Sequence, residues 1–321
     1  MAPLQGRLPF LSSNPLRPPE LDNPMKREFR GIWSPMPTPL ARNGDVDISR
    51  LRELTDYLIE GGIDGLFPLG TTGEFAFFSK QERRKIVETV VDQGNGRVPI
   101  LAGVSDPDSS AVIGYAKDAK DAGADALMAT PPYYFPLSQE SIYDHYVRIH
   151  SATSLPLLLY NIPQFTHNFV EVPVVERLAS EEVIAGMKYT EYNLLNLLQF
   201  IGAVGKVISV MTGSDAMAET CLEYGGSGAI ISVSNIAPRK AASIYDLASK
   251  GDFAGARKAQ FDLLPAIQAA GLGFFPAGLK EAMAVSGFPV GGLRQRHTTL
   301  SKEDKDQVRR LLSQAGITRR G

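Results

Sequence analysis

Leu155-Pro156-Leu157-Leu158-Leu159-Tyr160 is apolar at nearly every position, which suits a strand buried on both faces, as parallel sheets require. Similar short runs rich in Val, Ile, Leu and aromatics recur near Ile32, Leu66, Val98, Ala124, Val183, Val207 and Ala229, which makes eight in all. Their average spacing of about 28 residues leaves room for one strand and one crossover helix per step. The segments between them read as helices. Asp47 to Gly61 opens on an acidic cap and ends in two glycines, Ser79 to Gln93 opens with the capping box Ser79-Lys80-Gln81-Glu82, and Pro107 to Gly123 repeats the pattern. Eight such units predict a closed (β/α)8 barrel over residues 28–251. From about Asp252 the strand signal stops, and Asp252 to Ala270, Pro276 to Ser286 and Ser301 to Ala315 predict a small helical C-terminal domain over residues 252–321. A doubly wound open sheet would carry a glycine-rich phosphate turn after its first strand. None follows Gly31-Ile32-Trp33-Ser34-Pro35, and Gly225-Gly226-Ser227-Gly228 precedes the eighth strand instead of following one.

Composition narrows the function classes. The chain has 321 residues, 44% hydrophobic and 21% charged, enough to bury a sizeable core in one barrel with an appendage. A net charge of −2 without a block of like charge argues against nucleic acid or an acidic lipid surface as a partner. The single cysteine, Cys221, excludes an intrachain disulfide and points to a cytoplasmic protein, its thiol expected buried in a helix. Ile149 to Val170 is free of Asp, Glu, Lys and Arg but contains Pro156, Pro163, two histidines and two asparagines, so it does not read as a membrane span. Residues 1–27 carry six prolines and no apolar core of a signal peptide, and predict an extended or disordered arm.

In such a barrel the functional residues come from the C-terminal ends of the strands and the loops that follow. Gly70-Thr71-Thr72-Gly73-Glu74 follows the second run, Thr130-Pro131-Pro132-Tyr133-Tyr134 the fourth, Tyr160-Asn161-Ile162-Pro163 ends the fifth, and Gly186-Met187-Lys188-Tyr189-Thr190 lies in the sixth. Lys188 is the most informative of these. Its amine would point into a desolvated space or the barrel mouth, and burial disfavours the ammonium form. A neutral lysine amine attacks carbonyls and forms a Schiff base that withdraws electrons from a carbon–carbon bond. Such chemistry needs a proton carrier, and the Tyr160 phenol is the obvious candidate. A lysine reaching solvent and a tyrosine capping the barrel core are the structural alternatives. Thr71 and Thr72, in a glycine-flanked turn, offer hydroxyls and backbone amides to a carboxylate, or simply start a helix. The four histidines, His145, His150, His167 and His297, contain no i, i+4 pair of a helical zinc site, and no metal is expected.

Taken together, Gly70-Thr71-Thr72-Gly73-Glu74, Pro132-Tyr133-Tyr134, Tyr160-Asn161-Ile162-Pro163 and Gly186-Met187-Lys188 resemble, in order and spacing, the dihydrodipicolinate synthase and N-acetylneuraminate lyase superfamily of pyruvate-handling class I aldolases. The resemblance spans about Arg30 to Ala315. It implies Lys188 as the Schiff-base lysine, Tyr160 as the proton-transfer phenol, Thr71 and Thr72 as binders of the pyruvate carboxylate, and Tyr134 as a second relay tyrosine. The same resemblance implies that one tyrosine of that pair is presented near a neighbouring subunit's site in a homotetramer, and that backbone around Ile230 lines the pyruvate pocket. Family synthases acting on aspartate semialdehyde carry an arginine where this chain has Phe165, and a phenyl ring cannot hold a carboxylate bidentately. Thr190, Asp215 and Ser232 stand where sugar-acid lyases and aldolases contact substrate hydroxyls, although Ala216 replaces the glutamate of sialic acid lyases.

The expectation is therefore a class I aldolase that cleaves or forms a 2-keto acid, with pyruvate and a hydroxylated aldehyde as partners and no cofactor. A 2-keto-3-deoxy sugar acid is the leading substrate. A lysine-pathway synthase or a keto-deoxy sugar acid dehydratase is the alternative, and a non-catalytic keto-acid-binding protein is the rival from another class.

Overall fold

Each apolar run delivers one strand: β1 Gly31–Pro35, β2 Gly65–Phe67, β3 Leu101–Gly103, β4 Ala126–Ala129, β5 Leu157–Asn161, β6 Gly186–Tyr189, β7 Ser209–Thr212 and β8 Gly228–Ile230. The coordinates are a computed structural model in which residues 29–296 and 298–317 are described. The Pro-rich stretch expected to form an arm, residues 1–27, lies outside the described residues. All eight strands are parallel, in the order β2-β1-β8-β7-β6-β5-β4-β3. Closure falls between β2 and β3, where Leu66 and Ile100 form a single bridge and Leu66 N donates to Pro99 O at 3.0 Å. This is the expected (β/α)8 barrel.

Several ladders begin two or three residues after their apolar runs do. Val183 precedes β6 by three residues because its N–H still donates to Leu178 O at 2.9 Å, closing the preceding helix. Val183 is thus buried before the strand begins to pair.

Among the described residues twelve α-helices accompany the strands: α1 Ile48–Glu60, α2 Lys80–Gly94, α3 Ser109–Asp121, α4 Gln139–Ala152, α5 Pro163–Thr166, α6 Val172–Ser180, α7 Leu194–Val204, α8 Ala218–Glu223, α9 Pro238–Ala248, α10 Phe253–Ala270, α11 Ala277–Val285 and α12 Lys302–Gln314. The caps expected at Asp47 and Ser79 are in place, and Asp252 adds another. Asp47 accepts from Arg50 N, Ser79 and Glu82 form a reciprocal capping box, and Asp252 accepts from Gly255 N. Helices α10 to α12 pack on one another and on α9, so the C-terminal segment is helical as the sequence predicts. No helix among the described residues is long and apolar enough to cross a membrane. Cys221 is buried in α8, and burial pushes its thiol up to about 12.

Two apolar clusters divide the interior. The larger lies between strands and helices and takes Leu157, Leu159, Met187 and Tyr189; the smaller fills the barrel and takes Leu158, Tyr160, Met211 and Ile230. Alternation along β5 therefore turns Tyr160 inward, and the register that pairs it with Lys188 of β6 turns the lysine inward too.

His145, on α4, is buried between Ser109 Oγ, 2.9 Å from its Nδ1, and the Thr130 carbonyl, 3.2 Å from its Nε2. Burial lowers its pKa from 6.5 to about 4. An unfolded chain thus takes up this proton near pH 6.5 while the folded one resists until about pH 4. The stabilisation is present above pH 6.5 and is lost as the pH falls through that window, on the order of 3 kcal/mol in all. Asp64 works in the opposite sense, because burial raises its carboxyl to about 6. Comparison with His145→Gln isolates the histidine: the variant is expected to lose less stability than the parent between pH 7 and pH 4, read by urea midpoints. Parallel curves would show that His145 does not titrate as stated.

Candidate active site

At the C-terminal end of the barrel Lys188 Nζ donates to Tyr160 Oη at 3.1 Å, and Tyr160 Oη stands 3.5 Å from Thr71 Oγ1. Lysine and phenol are both buried. The amine lies 4.2 Å from the centre of the Tyr160 ring and 5.5 Å from that of Phe67, so aromatic faces enclose it. Gly213 holds the other side. A Cβ there would lie 2.4 Å from Lys188 Cε and 1.8 Å from Thr190 Oγ1, so only glycine lets the lysine stem pass.

The Thr71-Thr72 turn is anchored from several directions. Gly73 N donates to Gly70 O at 3.0 Å, Glu74 N to Thr71 O at 3.1 Å, and Thr38 Oγ1 to Gly73 O at 2.8 Å. Glu74 adopts a left-handed φ of 56° and ends the turn. Its buried carboxylate accepts from Lys280 Nζ at 2.6 Å and from Arg294 N at 2.8 Å. Lys280, on α11, also donates to Thr38 O and Gly292 O, and burial lowers its pKa against the pull of Glu74. Helix α11 and the segment after it therefore fix the turn that presents Thr71.

The other expected residues occupy different positions. Ile230 lies in the barrel interior. Asp215 Oδ1 accepts from Ser232 Oγ at 2.9 Å and Val233 N at 2.6 Å, so Asp215 and Ser232 are bonded to each other. Burial raises the Asp215 pKa, and the hydrogen bonds from Val233 and Ser232 oppose it. Thr190 Oγ1 is buried without a hydrogen-bond partner among the described residues. Tyr134 stands apart from the lysine pair: it is 75% exposed, with φ 87°. Phe165 is 54% exposed on the wall of a cleft. Among the described residues no group of three or more His, Cys, Asp or Glu side chains converges to hold a metal ion.

That cleft has a volume of about 550 Å³ and begins at Thr71 and Ile162. Phe75, Phe77, Tyr133, Phe274 and Phe275 line it with Phe165. Sequence reasoning singled out only Phe165. The pair Phe274-Phe275 carried a weak signal, two consecutive aromatics just before a predicted helix, but nothing local tied them to a mouth formed by residues about 110 to 200 positions earlier. Lys280 was missed likewise, because a lysine in a helix reads as solvated.

The family model described as the dihydrodipicolinate synthetase family matches residues 28–315. A 4-hydroxy-tetrahydrodipicolinate synthase of Nitratidesulfovibrio vulgaris is 34% identical over 291 residues, covering 90% of this chain and 99% of that protein. One of Methanocaldococcus jannaschii is 33% identical over 290 residues, with the same coverage. Among solved structures, YagE, a prophage protein of E. coli belonging to the dihydrodipicolinic acid synthase family and solved in complex with pyruvate, superposes with a TM-score of 0.87 at 30% identity, covering 90% of this chain and 99% of that one.

Proposed function

The chain belongs to the dihydrodipicolinate synthetase family, and from that premise we propose that it is a pyruvate-dependent class I aldolase working through an enamine on Lys188. The observation that carries this reading is the enclosed contact of 3.1 Å between Lys188 Nζ and Tyr160 Oη, with Thr71 next in line. The Lys188 amine adds to C2 of pyruvate, and the carbinolamine oxygen leaves as water after taking a proton from Tyr160. Loss of a proton from C3 of the imine gives the enamine. Its C3 forms the new carbon–carbon bond to an aldehyde, whose oxygen is protonated through Tyr160, and water then releases the product from the lysine. Cleavage runs the same steps backwards.

Thr71 extends the relay to Tyr134 of a neighbouring subunit in a homotetramer. The exposure of Tyr134 and its left-handed backbone support that placement, since a strained residue persists only where its surroundings hold it. The turn hydroxyls and amides of Thr71 and Thr72 receive the pyruvate carboxylate.

For the second substrate, the names of the relatives favour 4-hydroxy-tetrahydrodipicolinate synthase chemistry over cleavage of a sugar acid. The mutual hydrogen bond of Asp215 and Ser232 also weakens the sugar-acid reading, because each already has a partner. A coupled assay with pyruvate and aspartate semialdehyde separates the two.

Borohydride reduction in the presence of pyruvate, followed by peptide mass spectrometry, tests the common chemistry. A three-carbon acid fixed on Lys188 is the expected result, and no adduct on folded protein would remove the aldolase reading. Tyr160→Phe is expected to lower kcat by about 10²- to 10³-fold while adduct still forms, more slowly. Unchanged turnover in that variant would rule out the proposed relay.

A further inference from the structure

The cleft beside the lysine and the phenol is walled mostly by apolar side chains, with Glu74 as its one charged residue and hydroxyls at Thr71, Thr130, Tyr133 and Thr166. The cleft that starts at Thr71, 3.5 Å from the Tyr160 phenol, is walled by Phe75, Phe77, Tyr133, Phe165, Phe274 and Phe275. Phe75 and Tyr133 meet edge to face, 6.1 Å between ring centres. Phe77, Phe165 and Phe274 leave 38, 54 and 46% of their surface open. Exposed rings collected at the mouth of a reactive site are costly unless something covers them.

Among the described residues no lysine or arginine lines this space. Arg83 sits 5.4 Å behind the Phe75 ring, but it is buried and donates to Phe78 O and Ser105 O. The one charged side chain on the wall, Glu74, is held by Lys280 and by Arg294 N. Thr166 Oγ1 is bonded to backbone carbonyls, and burial lifts the Tyr133 phenol to about 12. A carboxylate or a polyol chain would lose water here and gain few partners.

We infer that the acceptor of the pyruvate enamine is an aldehyde with an apolar, aromatic body, which lies between the Phe165 and Phe274–Phe275 walls while its carbonyl meets Tyr160. The inference rests on the enamine reading above, and for the acceptor it sets the lining of this cleft against the substrate that the relatives' names favour. Enamine C3 bonds to the aldehyde carbon, the aldehyde oxygen gains a proton, and hydrolysis of the imine frees a 4-aryl-4-hydroxy-2-keto acid. No oxidant or reductant enters.

The test first traps pyruvate on the whole enzyme, then compares kcat/KM at saturating pyruvate for benzaldehyde, glyceraldehyde and aspartate semialdehyde. Benzaldehyde is expected to lead both by at least about tenfold. Phe165→Arg should shift the ratio toward aspartate semialdehyde by at least about tenfold, with the pyruvate adduct retained. An adduct on Lys188 combined with a preference for either polar aldehyde overturns the inference and leaves the enamine reading standing. A Phe165→Arg variant altered in elution volume but not in selectivity would make the wall a subunit interface, which also overturns it. Failure to form any adduct removes the enamine reading and this inference with it.

Discussion

Lys188→Met is expected to abolish reductive trapping of pyruvate and to lower turnover by about four orders of magnitude, the scale of loss when a covalent nucleophile is removed. Methionine suits the test because the site is apolar as well as reactive. Its thioether chain can follow the lysine stem past Gly213 and fill the space between Phe67, Tyr160 and Met211. The melting temperature should therefore hold or rise, since a buried amine is exchanged for a side chain that needs no hydrogen bond. Folded, inactive protein without adduct is the expected outcome. An adduct surviving on another lysine would refute the assignment. Lys280, the other buried lysine, already donates to Glu74, Thr38 O and Gly292 O.

Lys280→Met is the complementary case, in which the damage falls first on stability. The ion pair with Glu74 is almost fully enclosed, with 3% and 1% of the two side chains accessible. Removing the lysine leaves a buried carboxylate with only the Arg294 N–H for a partner, and breaking such a pair costs about 3–5 kcal/mol. Thermal unfolding should show a fall of several degrees. Combining Lys280→Met with Glu74→Gln removes the uncompensated charge and should recover much of the loss. If the double variant is no better than the single one, desolvated charge is not the cause. Because Glu74 ends the turn bearing Thr71, the single variant should also raise the KM for pyruvate more than it lowers kcat.

Much of this architecture was legible because the deciding signals are local. Ser79 and Glu82 lie three residues apart and cap α2 as predicted, and Asp47 does the same for α1. Apolar runs located every strand, although ladder boundaries shifted where a residue such as Val183 finishes a helix before pairing. The lysine and the phenol were legible for a related reason: both end apolar runs, and strand alternation leaves such a side chain inside the barrel. The cleft wall is another matter. Phe75 and Phe274 line one cleft although 199 residues separate them, which no local period encodes. Asp215 and Ser232 show the converse limit. The resemblance to sugar-acid lyases and aldolases implied substrate contacts, but each can satisfy the other, and a pairing 17 residues apart cannot be read from either neighbourhood.

The ties on Glu74 also set an order of events during synthesis. Its partners Lys280 and Arg294 lie 206 and 220 residues downstream. A nascent chain emerging from the ribosome can complete all eight strands once Ile230 is free, yet both oxygens of Glu74 then still lack their donors. The reactive lysine is thus in position well before the turn that must hold its substrate. A chain that ended after the last strand would lack the donors of both Glu74 oxygens and leave the mouth unfinished.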